Sequence, residues 1–213
     1  MSRVHSSRVR DLVELVLGYG LIVGILWSPE HLQRVLSPIA LVLTLVVVLA
    51  RGKRRDELGF GHRGLFRSLW IVPAAIALST VSMVVASRLG TLHPLYKGGL
   101  KHILGYVLWT IYQQFLLQDF FMVRVFRLLR SETAAVAVAG TLFAAAHLPN
   151  LALTVATLVW GIVTCALFRR YHNLWSLGVA QGLLGLCFAI CVPDTLHHHL
   201  RVGLGYLRYQ APQ

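Results

Sequence analysis

The feature that most constrains this chain is a series of apolar runs separated by short connections that hold most of its arginines. The runs cover about 11–28, 37–50, 69–86, 103–125, 133–148, 151–168 and 174–191. A segment of about 20 apolar residues crosses the hydrocarbon core as a helix. In lipid, every backbone polar group has to be satisfied within such a helix or within a closed barrel. The pattern predicts an all-α, polytopic transmembrane helix bundle of about seven spans. Only 13% of the residues are charged and the mean hydropathy is +0.67, which excludes an ordinary soluble domain. In a soluble protein, the formal net charge of +12 would suggest nucleic acid. Here the basic residues fall between apolar runs and act as topology determinants and headgroup contacts, so the expected partner is the lipid bilayer and no nucleic acid is expected.

The same charges orient the chain. The connections at 1–10, 51–67, 124–132 and 169–172 hold Arg51, Lys53, Arg54, Arg55, Arg124, Arg127, Arg130, Arg169 and Arg170. The opposite connections and the tail hold Arg34, Arg88, Lys97, Lys101, Arg201 and Arg208. The positive-inside rule then predicts a cytoplasmic N-terminus and an outward C-terminus in a bacterial inner membrane. Six or eight spans follow if the tail folds back or if the stretch 53–67, which reads as an interfacial segment, dips into the bilayer. Along the chain this divides into membrane spans and an interfacial segment over 1–104, a core over 105–192 and a polar tail over 193–213. The basic opening and first run have the look of a signal peptide. Trp27, Ser28, Pro29 and Glu30 offer no small-residue cleavage site, so the run reads as an uncleaved first span. Cys165, Cys187 and Cys191 lie within apolar runs without a CxxC pair and read as small buried hydrophobes.

Between Trp109 and Asn150, two apolar helices joined by a basic hinge contain Gln113, Gln114, Gln118, Asp119 and His147. Polar side chains at membrane depth are costly and mark functional sites. On an α-helix, Gln114 and Gln118 share a face, as do Phe143 and His147. Gln181 lies near the middle of the last span beside Gly182 and Gly185. These helices could gather Gln114, Gln118, His147 and Gln181 into one polar cluster. Alternatively, the amides knit the helices together, at about 0.6–2 kcal/mol each. Asp119 is the one acid well inside an apolar run, and serves either as a base or as an ion-pair partner of Arg124 or Arg170. His197, His198 and His199 read either as a solvated run or, with Asp194 and His147, as a metal set. Trp109, Trp160, Trp175 and Tyr206 sit near span ends as interfacial anchors.

The text FAAAHLPN, with a polar pair and a basic end before it and a further polar span after it, resembles the CPBP family. These are the CAAX-processing and bacteriocin-processing intramembrane proteases, also called the Abi family. The resemblance covers about 105–190. It implies a glutamate pair followed by an arginine, a Phe-x-x-x-His motif and a third His-x-x-x-Asn motif. In this chain, Gln113 and Gln114 stand at the glutamates, Gln118 at the arginine, Gln181 at the third-motif histidine and Gly185 at its asparagine. Phe143 and His147 match the second motif as written. The resemblance implies peptide-bond hydrolysis by glutamate-activated water assisted by histidine, with or without a divalent metal. Glutamine cannot take up a proton from water, and one histidine is short of the three protein ligands of a zinc site.

The sequence thus supports an intramembrane endopeptidase acting on membrane-embedded or lipid-linked protein or peptide ends, with His147, Gln113, Gln114, Gln118, Gln181 and Asp119 at its site. A second reading is a catalytically inactive relative that binds a membrane partner. A third is a small transporter subunit, which the absence of an internal repeat disfavours.

Overall fold

Each of the seven apolar runs is largely helical in the computed structural model, which describes residues 2–51, 55–62, 64–95 and 99–210. Lys53, Arg54, Lys97 and the side chain of Arg55 lie outside the described residues. In chain order the helices are α1 (Ser2–Leu26), α2 (Glu30–Leu49), α3 (Leu65–Ser68), α4 (Ile71–Leu89), α5 (Leu100–Phe115), a π-helical segment (Leu116–Met122), α6 (Val123–Leu129), α7 (Glu132–Ala145), α8 (Leu151–Tyr171), α9 (Leu174–Cys191), α10 (Asp194–His197) and α11 (Gly203–Leu207). Among the described residues, the stretches Glu30–Leu49, Leu65–Leu89, Leu151–Tyr171 and Leu174–Cys191 are long and apolar enough to cross a membrane. Val42, Val46, Val81, Val155 and Val159 on these helices are exposed, which suits lipid and not water. The protein is an all-α integral membrane protein.

Helix ends follow local chemistry. Ser131 accepts from the amide of Ala134 (3.4 Å) to start α7, Asn150 from that of Leu153 (3.0 Å) to start α8, and Asn173 from that of Ser176 (3.1 Å) to start α9. These are N-caps that satisfy otherwise orphaned amides. The described part of the stretch expected to be interfacial contains a 3₁₀ turn (Arg55–Leu58) and the short α3.

The helices form two compact units, each built from separate pieces of the chain. One comprises Met1–Lys53, Leu116–Ala166 and Arg201–Gln213; the other comprises Arg54–Phe115 and Leu167–Leu200.

The first unit has a core of Leu117, Met122, Val125, Ala135, Ala139, Phe143 and Cys165. Helices α7 and α8 meet at two glycines. A methyl group added at Gly161 would lie 3.1 Å from Phe143 Cδ1 and 3.2 Å from the Gly140 Cα. Small residues at such a crossing let membrane helices approach closely. The same unit contains a buried ion cluster. Arg124, 1% exposed, donates to Glu14 through Nε (2.9 Å) and Nη2 (2.6 Å). Its Nη1 donates to the Phe120 carbonyl (2.7 Å), and its guanidinium lies 3.8 Å above the Phe120 ring. Arg51 bridges Asp11 (2.7 Å) and Glu14 (2.5 Å), and Arg127 lies 3.6 Å from Asp11. The N-terminal half of α1, the end of α2 and α6 are thereby held at one level.

In the second unit, α9 packs against both α4 and α5. A methyl at Gly178 would lie 2.7 Å from the Ile111 Cα, and one at Gly182 would lie 3.0 Å from Val107 Cγ2. This Gly-x-x-x-Gly face allows the Thr110 hydroxyl to donate directly to the Gly178 carbonyl (2.8 Å). The loop before α3 is tied to the start of α9: His172 Nε2 donates to the Glu57 carbonyl (2.9 Å) and Asn173 Nδ2 to that of Gly61 (3.2 Å).

Candidate active site

Close approach of α5 and α9 in the second unit brings three motif positions together. Gln114 Nε2 donates to Gln181 Oε1 (2.5 Å). Gln181 Nε2 in turn donates to Gln113 Oε1 (2.5 Å). Gln114 is fully buried and Gln181 is 8% exposed. The three amides form a directional ladder in which each link pairs a donor with an acceptor, as buried polar groups require. None of the three ionises at any accessible pH, so the ladder can orient a polar group but cannot act as a base. At Gly185, where the resemblance expects asparagine, a side chain would run into the hydroxyl end of Tyr106.

Gln118, Asp119, Phe143 and His147 lie in the first unit. Gln118 and Asp119 are buried in the π-helical segment. The i, i+4 relation expected of Gln114 and Gln118 presumes an unbroken α-helix. At Leu116 the helix widens to i, i+5 bonding, and Gln118 lies within that widened turn. Arg124, considered as a partner for Asp119, sends its guanidinium to Glu14 and to backbone carbonyls, including that of Asp119 (3.4 Å). Phe143 and His147 do pair: their rings lie 5.0 Å apart, edge to face. His147 Nδ1 lies 2.7 Å from the Phe143 carbonyl. A carbonyl only accepts, so Nδ1 carries the proton and Nε2 presents a lone pair. This is the form of histidine that can accept a proton from water.

Beyond the end of α9, Asp194 is 3.7 Å from His197 Nδ1 and 3.2 Å from His199 Nε2. Among the described residues, no three His, Cys, Asp or Glu side chains are grouped so as to hold a metal ion. The motif positions offer neutral amides and one imidazole, a donor set that does not fit a zinc centre.

The ion cluster of Asp11, Glu14, Arg51, Arg124 and Arg127 was missed at the level of sequence. Its signal was present as two acids three apart in the first apolar run, the spacing of one helix face. The Gly178/Gly182 spacing was likewise legible as a close-packing face.

No curated protein and no solved structure matches the chain. A family model does match, the one described as type II CAAX prenyl endopeptidase Rce1-like, over residues 97–187. That segment contains all three motif regions, at 113–118, 143–147 and 181–185. The segment 97–187 is therefore Rce1-like, the family-level assignment to which the CPBP resemblance of its motifs pointed.

Proposed function

We propose that this protein is a CPBP-type intramembrane protein that binds the ends of membrane-embedded or lipid-linked proteins or peptides without hydrolysing them by the glutamate-activated water its family resemblance implies. The family match supports a CPBP-type intramembrane protease at family level. One observation carries the finer reading. Gln113, Gln114 and Gln181 occupy the positions of acid and base and spend their amide groups on one another. The ladder holds no group that can take up a proton from water. On this reading the chain sits in a bacterial inner membrane with its N-terminus cytoplasmic, as its arginine distribution favours.

A second reading is hydrolysis with His147 as the base, favoured by the unprotonated Nε2. Mapping of new protein termini in membranes expressing the protein separates the two. The binding reading expects the same termini with the protein and with His147→Ala. Termini that vanish in His147→Ala establish hydrolysis. Site-specific photocrosslinking from Leu108, which is exposed on α5, tests binding itself. The proposal expects a crosslinked membrane polypeptide that weakens in Gln181→Leu, and fails if no such adduct forms.

A further inference from the structure

A cavity of about 740 Å³ lies within the second unit, a size typical of small-ligand sites. Ile103 and Trp109 from α5, Leu186 and Ala189 from α9, and Leu95 from the segment after α4 give it an apolar lining. Among the described residues, no lysine or arginine lines it. Several of its polar groups are engaged by the backbone around them. His93 Nδ1 lies 3.2 Å from the Pro94 carbonyl, and its Nε2 lies 2.9 Å from that of Val192. His197 Nε2 donates to the Val192 carbonyl (2.9 Å), and its Nδ1 accepts from the Leu200 amide (3.1 Å). Asp194 Oδ1 accepts from the His199 amide (2.7 Å). These bonds hold the turn after α9 and the segment after α4 in shape.

Tyr106 differs. It is half-buried and lines the cavity, yet its hydroxyl makes no hydrogen bond with any described residue. A tyrosine hydroxyl away from bulk water ordinarily has a partner, and lacking one costs free energy. The crossing of α5 and α9 fixes where this phenol sits. Its hydroxyl end abuts Gly185, where even a methyl group would collide with it. Gly185 adjoins Leu186, so the hydroxyl lies at the edge of the apolar lining. A phenol donates readily to a carbonyl oxygen. An anionic head fits poorly, because the lining holds no fixed cation and includes the Asp194 carboxylate. A plain hydrocarbon suits the lining but leaves the hydroxyl without a partner.

We infer that this cavity binds an uncharged single-chain lipid whose carbonyl accepts a hydrogen bond from the Tyr106 hydroxyl, with the chain along Trp109 and Leu186. This inference is independent of whether the protein binds or hydrolyses peptides. The experiment uses the full chain in vesicles of ether-linked phosphatidylcholine, a lipid with no carbonyl. A long-chain acyl methyl ester with a diazirine on its chain is photolysed in these vesicles, and the adducts are mapped by mass spectrometry. The expected result is saturable labelling of 103–109 and 186–189, above the non-saturable labelling of the exposed Val81 and Val84 on α4. The unlabelled ester should displace the probe at about two- to tenfold lower concentration than an alkane of equal length, the worth of one neutral hydrogen bond. An alkyl sulfonate of that length should also be weaker than the ester. Tyr106→Phe keeps the ring, so it should remove the advantage of the ester while leaving displacement by the alkane unchanged, which shows that the cavity remains folded. Ala189→Phe fills the cavity and should remove the saturable labelling alone. The inference fails if labelling does not saturate, if alkane or sulfonate competes as well as the ester, or if Ala189→Phe leaves the saturable labelling in place. It fails equally if Tyr106→Phe leaves the ester its advantage, the result expected where water alone partners the hydroxyl.

Discussion

Gln114 is the residue on which the reading of the site turns. Its amide is the donor at one end of the ladder, and its removal leaves Gln181 Oε1 without that donor in a buried setting. Gln114→Ala should cost about 1–3 kcal/mol, the usual penalty for an unsatisfied buried polar group, read as a lower midpoint of thermal unfolding in detergent. Gln114→Leu combined with Gln181→Leu removes both partners and should recover part of that loss. Arg124 makes a sharper case. It is 1% exposed and answers Glu14 through two of its nitrogens. Arg124→Met leaves Glu14 with Arg51 as its partner and the Phe120 carbonyl without its guanidinium donor, and should cost about 1–3 kcal/mol. A single variant no less stable than the wild type would show that the pair contributes nothing. The identity of these residues was visible in the sequence; their partners were not. Glu14 lies 110 positions from Arg124, and helical spacing relates only residues within a few turns of each other.

At the level of elements, the crossing of α5 and α9 sets up the ladder. Gly178→Leu would force side-chain atoms into the Ile111 backbone, where even a methyl would sit 2.7 Å from its Cα. Overpacking of this kind costs about 1–3 kcal/mol, and the same displacement should abolish the Leu108 crosslink of the proposed binding site. The turn after α9 behaves differently. Burial holds the pKa of His197 below its ordinary 6.5, opposed by its hydrogen bond to the Val192 carbonyl and by Asp194. Because the folded value is the lower one, the unfolded chain binds the proton more readily. The stability contributed by neutral His197 is complete above 6.5 and is lost as pH falls below it. Residues 198–200 all have positive φ, between 47° and 58°, a costly conformation for residues other than glycine. The Leu200 amide, which donates to His197 Nδ1, should therefore lose protection against exchange as pH falls to about 5, once the intrinsic rate is corrected for, and His197→Phe should remove that pH dependence. The helices were legible because apolar runs of their length have few other options in lipid. The π-helical widening at Leu116 was not, since no local residue type in LLQDFFM demands it.

For the molecule as a whole, the membrane character and the all-α fold followed from hydropathy and the scarcity of charge, and the family-level assignment from the motif around Phe143 and His147. The division into two compact units made of separate chain segments did not follow, because sequence proximity carries no information about which helices pack. Gln113, Gln114 and Gln181 were each picked out singly, but their ladder needed the close crossing that Gly178 and Gly182 allow. The account's central claim is that this Rce1-like segment binds without glutamate-type hydrolysis because its acid and base positions are amides paired with one another. The most direct measurement compares new protein termini in membranes expressing the wild type, His147→Ala, and a triple variant carrying Gln113→Glu, Gln114→Glu and Gln181→His. The account predicts the same termini for wild type and His147→Ala, and additional ones only in the triple variant. Termini produced by the wild type and lost in His147→Ala would contradict it.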